Sequence, residues 1–185
     1  MLITIYNYTY TTPGTGKTST INAMIQTIGN KIIATAPSNA AVANIAIKVH
    51  SSSYFDMKQI VVFGQNCDES VAFLNPLKRS KEFHKFMTSY NELTKDEARD
   101  HEREKFASWL KVDTTTTVSE FAQLCPYIDL EERSGRDLYN MMLCSASVIF
   151  CTLNSSGSNM LRNAVGGTFS TYILDEAGQC PEAGE

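Results

Sequence analysis

Charge is scarce in this chain: 19% of its 185 residues are Asp, Glu, Lys or Arg, 16 basic against 20 acidic, for a formal net charge of -4. That balance excludes a polycation that coats nucleic acid through counterion release alone. It leaves room for a local groove built from hydroxyls and backbone amides. Long apolar runs are missing as well. No stretch approaches the roughly 18 residues needed to span a bilayer, and Met1–Thr12 lacks the basic start and small-residue cleavage pattern of a signal peptide. None of Cys67, Cys125, Cys144, Cys151 and Cys180 stands two or three residues from another, and His50, His84 and His101 lie at ligand spacing from none of them. A zinc site is therefore not expected, and an odd, scattered set suits reduced thiols. Internal repeats and low-complexity linkers are absent too. The expectation is a soluble intracellular protein, nuclear or cytoplasmic.

What is present is enough apolar surface for a core, 43% of residues, in a length that fits one domain. Leu2–Tyr8 is β-branched and aromatic and predicts a buried strand. Lys17 opens a helix with Ile21, Met24, Ile25 and Ile28 at helical spacing, stopped by Gly29-Asn30. Lys31–Ala36 predicts a second strand, Asn39–Val49 a second helix and Ile60–Phe63 a third strand. From about 80 to 143 the signals are helical. Phe83, Phe86, Met87 and Tyr90 share a face; Thr94-x-x-Glu97 and Thr117-x-x-Glu120 have capping-box spacing; Leu138, Met141 and Met142 mark a further helix. The aromatic and Met stripes predict core, and the charged run Lys95–Lys105 a solvated face. Val148–Thr152 and Thr171–Leu174 return as strands. The alternation predicts an α/β fold, a mostly parallel RecA-like P-loop sheet flanked by helices with a helical insertion at about 80–143.

Pro13-Gly14-Thr15-Gly16-Lys17-Thr18-Ser19 stands between a predicted strand and a predicted helix, the context that makes such a loop a phosphate cradle. Small residues let backbone amides form an anion nest, and the helix N-terminus adds partial positive charge. Lys17 would reach the β- and γ-phosphates of ATP, and Thr18 would offer a hydroxyl to Mg²⁺. The full G-x-x-x-x-G-K-[ST] pattern asks for glycine where Thr11 stands, a substitution that costs about 1–3 kcal/mol if the backbone there is unusual. Tyr172-Ile173-Leu174-Asp175-Glu176 is an apolar strand ending in two carboxylates. Asp175 suits a magnesium ligand and Glu176 a base for the attacking water.

Three more segments, Thr35-Ala36-Pro37-Ser38-Asn39-Ala40-Ala41-Val42, Cys151-Thr152-Leu153-Asn154-Ser155-Ser156-Gly157 and Asp175-Glu176-Ala177-Gly178-Gln179, complete a pattern in order and spacing. It resembles the superfamily 1 helicases, in the branch of senataxin and the nonsense-mediated-decay helicase, from Pro13 to Glu182. The resemblance implies that Ser38, Asn39, Thr152, Ser155 and Ser156 contact the sugar-phosphate backbone of single-stranded RNA or DNA. Short hydroxyl and amide side chains suit that task because they bond without reading a base. It also makes Gln179 a sensor of the γ-phosphate and water. From the residues alone, Ser38-Asn39 serves equally as a helix cap after Pro37, and Ser155–Ser158 equally as an ordinary loop.

The resemblance further implies a second RecA-like lobe, which this chain lacks, carrying arginine fingers that contribute roughly 10³–10⁵ in rate in related enzymes. The expectation is therefore a truncated helicase lobe, a fragment that binds Mg-ATP weakly and is inactive alone. Two alternatives stand beside it: a P-loop ATPase unrelated to nucleic acid, and a non-catalytic nucleotide-gated binding module.

Overall fold

Short β-branched runs become the strands of one sheet. In the computed structural model, which describes residues 3–6 and 16–175, β1 (Ile3–Tyr6), β2 (Ile32–Ala36), β3 (Ile60–Val62), β4 (Val148–Thr152) and β5 (Thr171–Leu174) form one five-stranded sheet. Its order is β1-β5-β2-β4-β3, and every pairing is parallel. This is the expected α/β architecture. All five residues of β2 are buried, as a parallel strand between two helical layers demands.

Alternation along the strands divides the core. Ile32, Ala34 and Ala36 of β2, Val148 and Phe150 of β4, and Ile173 of β5 face one cluster. Ile33, Val61, Ile149 and Cys151 face the other. On the first side pack α1 (Lys17–Ile28) and α2 (Asn39–Ser51), then a buried 3₁₀ turn (Glu69–Leu74). With them lie α3 (Pro76–Glu92), α4 (Asp96–Leu110) and α5 (Val118–Leu124), joined through stacked Phe86 and Phe106 and the edge of Phe121. On the second side lie α6 (Arg133–Ser145) and α8 (Asn159–Val165), with the short α7 (Leu153–Ser156) between β4 and α8. The helices within the predicted 80–143 stretch therefore serve both faces of the sheet.

Local chemistry explains several boundaries. β2 starts at Ile32 because Lys31 adopts φ +56 and sends its ammonium to the carbonyls of Cys144 and Ala146, over the Phe169 ring. That contact caps the carboxyl end of α6. The Thr117-Glu120 capping box forms as expected. The Thr94-Glu97 box does not: α4 opens one residue later, with Lys95 in the cap position and no side-chain bond. Asp96 and Glu97 in its first turn complement the helix dipole instead. The apolar stripe of α6 is also shifted from expectation, since Tyr139 and Leu143 are buried whereas Met141 is 64% exposed. The run Lys95–Lys105 contains no buried residue, in keeping with a solvated face. No helix among the described residues is long and apolar enough to cross a membrane.

Two buried polar groups act against stability. Arg79 of α3 is 1% exposed, and none of its three guanidinium nitrogens has a hydrogen-bond partner, an arrangement that costs stability unless a charge compensates it. His50, edge-on to Phe73 at 5.0 Å, has a buried Nδ1 with no partner. Burial pushes its pKa below the ordinary histidine value. The folded state then binds fewer protons than the unfolded state in the window just below the unfolded pKa of about 6.5. Stability from this residue is present above that pH and is lost as pH falls through it. Chemical denaturation at pH 7.5 and pH 5.5 should show this loss, and His50→Leu should reduce it; an unchanged difference between the two pH values would remove His50 as its cause.

Candidate functional site

The site is assembled at the carboxyl edge of the sheet, where parallel α/β folds place their ligands. The register aligns Tyr6 of β1 with Leu174 of β5, Leu174 with Thr35 of β2, and Ala36 with Thr152 of β4. Chain segments leaving these strands therefore emerge together. Asp175 is the first residue beyond β5, and its backbone N–H donates to the Thr35 carbonyl at 2.8 Å. Its side chain is half-buried.

α1 ends at Ile28, just before β2 begins at the opposite edge. Its 12 residues span about 18 Å, so Lys17, Thr18 and Ser19 in its first turn stand toward the edge that Asp175 occupies. Gly16 precedes them with φ +82, a left-handed conformation that favours glycine, and provides no side-chain cap. The first turn also holds no acidic residue. A helix N-terminus left this way suits an anion. Ser19 Oγ accepts a hydrogen bond from Lys48 of α2 at 2.5 Å, which ties the first turn to the neighbouring helix. Pro13, Gly14, Thr15, Glu176 and Gln179, together with Thr11, lie outside the described residues.

Beyond Asp175 the same edge opens into a cleft of about 720 Å³ above β2, β4 and β3. Four of the five expected strand-contacting residues line it: Ser38, Asn39, Thr152 and Ser155. The fifth, Ser156, bonds its hydroxyl to the Leu153 carbonyl at 2.6 Å and is not part of the lining. Ser38 caps α2 by accepting from the Ala41 N–H at 3.2 Å. Thr152 caps α7, accepting from the Ser155 N–H at 3.3 Å and donating to the Ser155 hydroxyl at 2.9 Å. These side chains do hold helix ends, and the same capping fixes them at the rim.

The opposite wall escapes the sequence reading. It consists of the Phe63–Asn66 segment after β3, Leu77 of α3, Leu130, Tyr139 of α6 and Met160 of α8. Asn75 holds this wall in place. Its side-chain amide donates to the carbonyls of Val62 at 2.9 Å and Gly64 at 2.8 Å, while its oxygen accepts from the N–H groups of Leu77 and Lys78, both at 3.1 Å. Asn75 followed by Pro76 is a readable signal, a cap residue with proline in the first turn, and it starts α3 four residues before the expected 80. Gly64 has φ +136, and a Cβ there would meet Ser155 Oγ at 3.5 Å across the cleft.

Ordinary thiolate chemistry has no place behind this edge. Burial pushes the Cys151 thiol up to about 12 and the Cys125 thiol to about 11, the latter despite the nearby Arg79 charge. Both are neutral near pH 7. Among the described residues no group of three or more His, Cys, Asp or Glu is disposed to hold a metal ion.

A family model described as the AAA domain matches residues 8–184, from just after β1 to the last residues of the chain. The match covers the phosphate loop, both halves of the cleft and the Asp175-Glu176 pair, and with them the features of a P-loop ATPase domain. The chain belongs to this family, the AAA domain found in the senataxin-like superfamily 1 helicases.

Proposed function

We propose that this chain is the ATP-binding lobe of an RNA or DNA helicase and that its carboxyl-edge cleft holds single-stranded nucleic acid. The observation that carries this reading is the continuity of one edge: Asp175, Ser38 and Thr152 leave adjacent parallel strands β5, β2 and β4 in sequence. A nucleotide at β1–β5 and a strand at β2–β4 would then share β5 and β2 as a common floor. Lys17 would neutralise charge on the transferring phosphate, Glu176 would orient and deprotonate water, and Gln179 would report the γ-phosphate. The uncapped start of α1 fits an anion; a bound magnesium supplies charge neutralisation across the phosphates, and Thr18 and Asp175 would hold it. Few protein ligands are needed for that, since magnesium is commonly bound by one or two carboxylates plus substrate phosphates. The reading further implies a second RecA-like lobe as partner, and with it full turnover.

Strand binding is tested at Ser38 without disturbing the fold. Aspartate caps a helix as well as serine does, so Ser38→Asp should melt like the parent while its carboxylate repels the phosphate backbone. Anisotropy with labelled oligo(dT) and oligo(U) in low salt should show at least a tenfold loss, with Mg-ATP binding retained. Equal strand affinity in parent and variant would move the reading to an ATPase without a nucleic-acid track. Lys17→Ala, in turn, should abolish Mg-ATP binding measured by calorimetry.

A further inference from the structure

A charge taken out of water without a counterion is among the costliest arrangements in a fold. Arg79 of α3 is held in this way. Its three guanidinium nitrogens are buried without a hydrogen-bond partner, and no ion pair among the described residues includes it. Cys125, at the end of α5, is the titratable group within its electrostatic reach. Burial keeps that thiol neutral near pH 7, so it supplies no counter-charge. Burial also works against the charge on Arg79 itself, yet a guanidinium does not give up its proton in a protein. Relief has to come through movement that lets water reach it.

The cover that can move is the stretch 117–128, made of α5 and the residues that follow it. Both of its ends are fixed. Arg103 of α4 donates to the carbonyls of Thr114 and, at 3.3 Å, Thr116. At the far end the backbone of Asp129 lies directly against Gly135 of α6. Between these anchors the Ile128 N–H donates to Ser80 Oγ at 2.8 Å, and among the described residues no other hydrogen bond joins the stretch to α3. α5 has 7 residues, too few for a helix to hold without tertiary support. That support is apolar: the Phe121 ring stands edge-on to Phe86 at 5.7 Å and to Phe106 at 5.0 Å.

We infer that residues 117–128 form a strap that opens as a unit between its two anchors, driven by hydration of the Arg79 guanidinium beneath it. Opening breaks the Ser80–Ile128 bond and lifts Phe121 from the rings that join α3 to α4. The closed form is therefore a balance between one buried aromatic ring and one buried charge, the condition for a cooperative local opening well below global unfolding. The inference is independent of the nucleotide and strand readings.

Backbone amide exchange of the full chain, followed by NMR at constant pH, tests it. The amides of Phe121, Cys125 and Ile128 are all bonded in the closed form. Their protection factors should agree closely and lie about tenfold or more below those of β4. Arg79→Met, similar in length and uncharged, should raise all three about tenfold and raise Tm as well. Ser80→Ala, which removes the tie to Ile128, should lower all three together. Protection in the parent equal to that of β4 overturns the strap. Unchanged or lower protection in Arg79→Met, or failure of that variant to fold, makes Arg79 a stabilising residue and overturns the driving force. An effect of Ser80→Ala confined to Ile128 overturns opening as a unit.

Discussion

Alanine at Gly135 should cost about 3 kcal/mol or more, a fall in Tm of roughly 6–12 °C for a chain of this size. The added Cβ would lie 1.8 Å from the carbonyl oxygen of Asp129, 2.5 Å from its carbonyl carbon and 2.7 Å from its nitrogen. These are backbone atoms of the segment leading into α6, and they cannot swing aside as the tip of a long side chain would. Either that segment or α6 must move. Tyr139 and Leu143 of the same helix are buried against the second face of the sheet, so displacement also disturbs one wall of the cleft. The expected signature is a lower Tm in thermal unfolding followed by circular dichroism. A Tm within 2 °C of the parent would show that the approach of α6 to Asp129 is looser than described.

Asn75 should be nearly as sensitive. Removing its side chain strands two carbonyls and two N–H groups at a position 1% exposed to solvent. An unmet buried group costs about 1–3 kcal/mol, though not additively, so Asn75→Ala should lose about 3–5 kcal/mol in urea unfolding. Aspartate distinguishes the two halves of the interaction. It retains the oxygen that caps α3 but replaces the donor to Val62 and Gly64 with a second acceptor, which faces two carbonyls. Asn75→Asp should therefore be as damaging as Asn75→Ala. Parent-like stability for the aspartate variant would assign the role of Asn75 to helix capping alone.

What the sequence makes legible is local. The hydrophobic runs at Ile32–Ala36, Val148–Thr152 and Thr171–Leu174 become strands because β-branched residues fit a surface buried on both sides. Thr117 and Glu120 announce α5 because a capping box satisfies its own amides and needs nothing distant. The same spacing misleads at Thr94, where carboxylates at Asp96 and Glu97 start the helix one residue later. Long-range features are not legible in this way. Ser38 and Thr152 stand out as a paired rim through family resemblance, yet Phe63, Leu77 and Tyr139 join them only because the end of β3, α3 and α6 converge in space. No periodicity records that convergence. Arg79 is a further case: a cationic residue on α3 between Lys78 and Ser80 carries no local sign that its guanidinium is buried.

The order β1-β5-β2-β4-β3 carries a consequence for synthesis. Among the described residues every strand pairing has β4 or β5 as one member, so the first three strands have no strand partner among them when they leave the ribosome. With β4 beginning at Val148, and elongation at about 5–20 residues per second, the hydrogen-bonding edges of β2 wait on the order of 5–25 s for a first partner strand. A nascent chain of this design carries unpaired strand edges until Val148–Leu174 has emerged, and β4 and β5 then close the sheet.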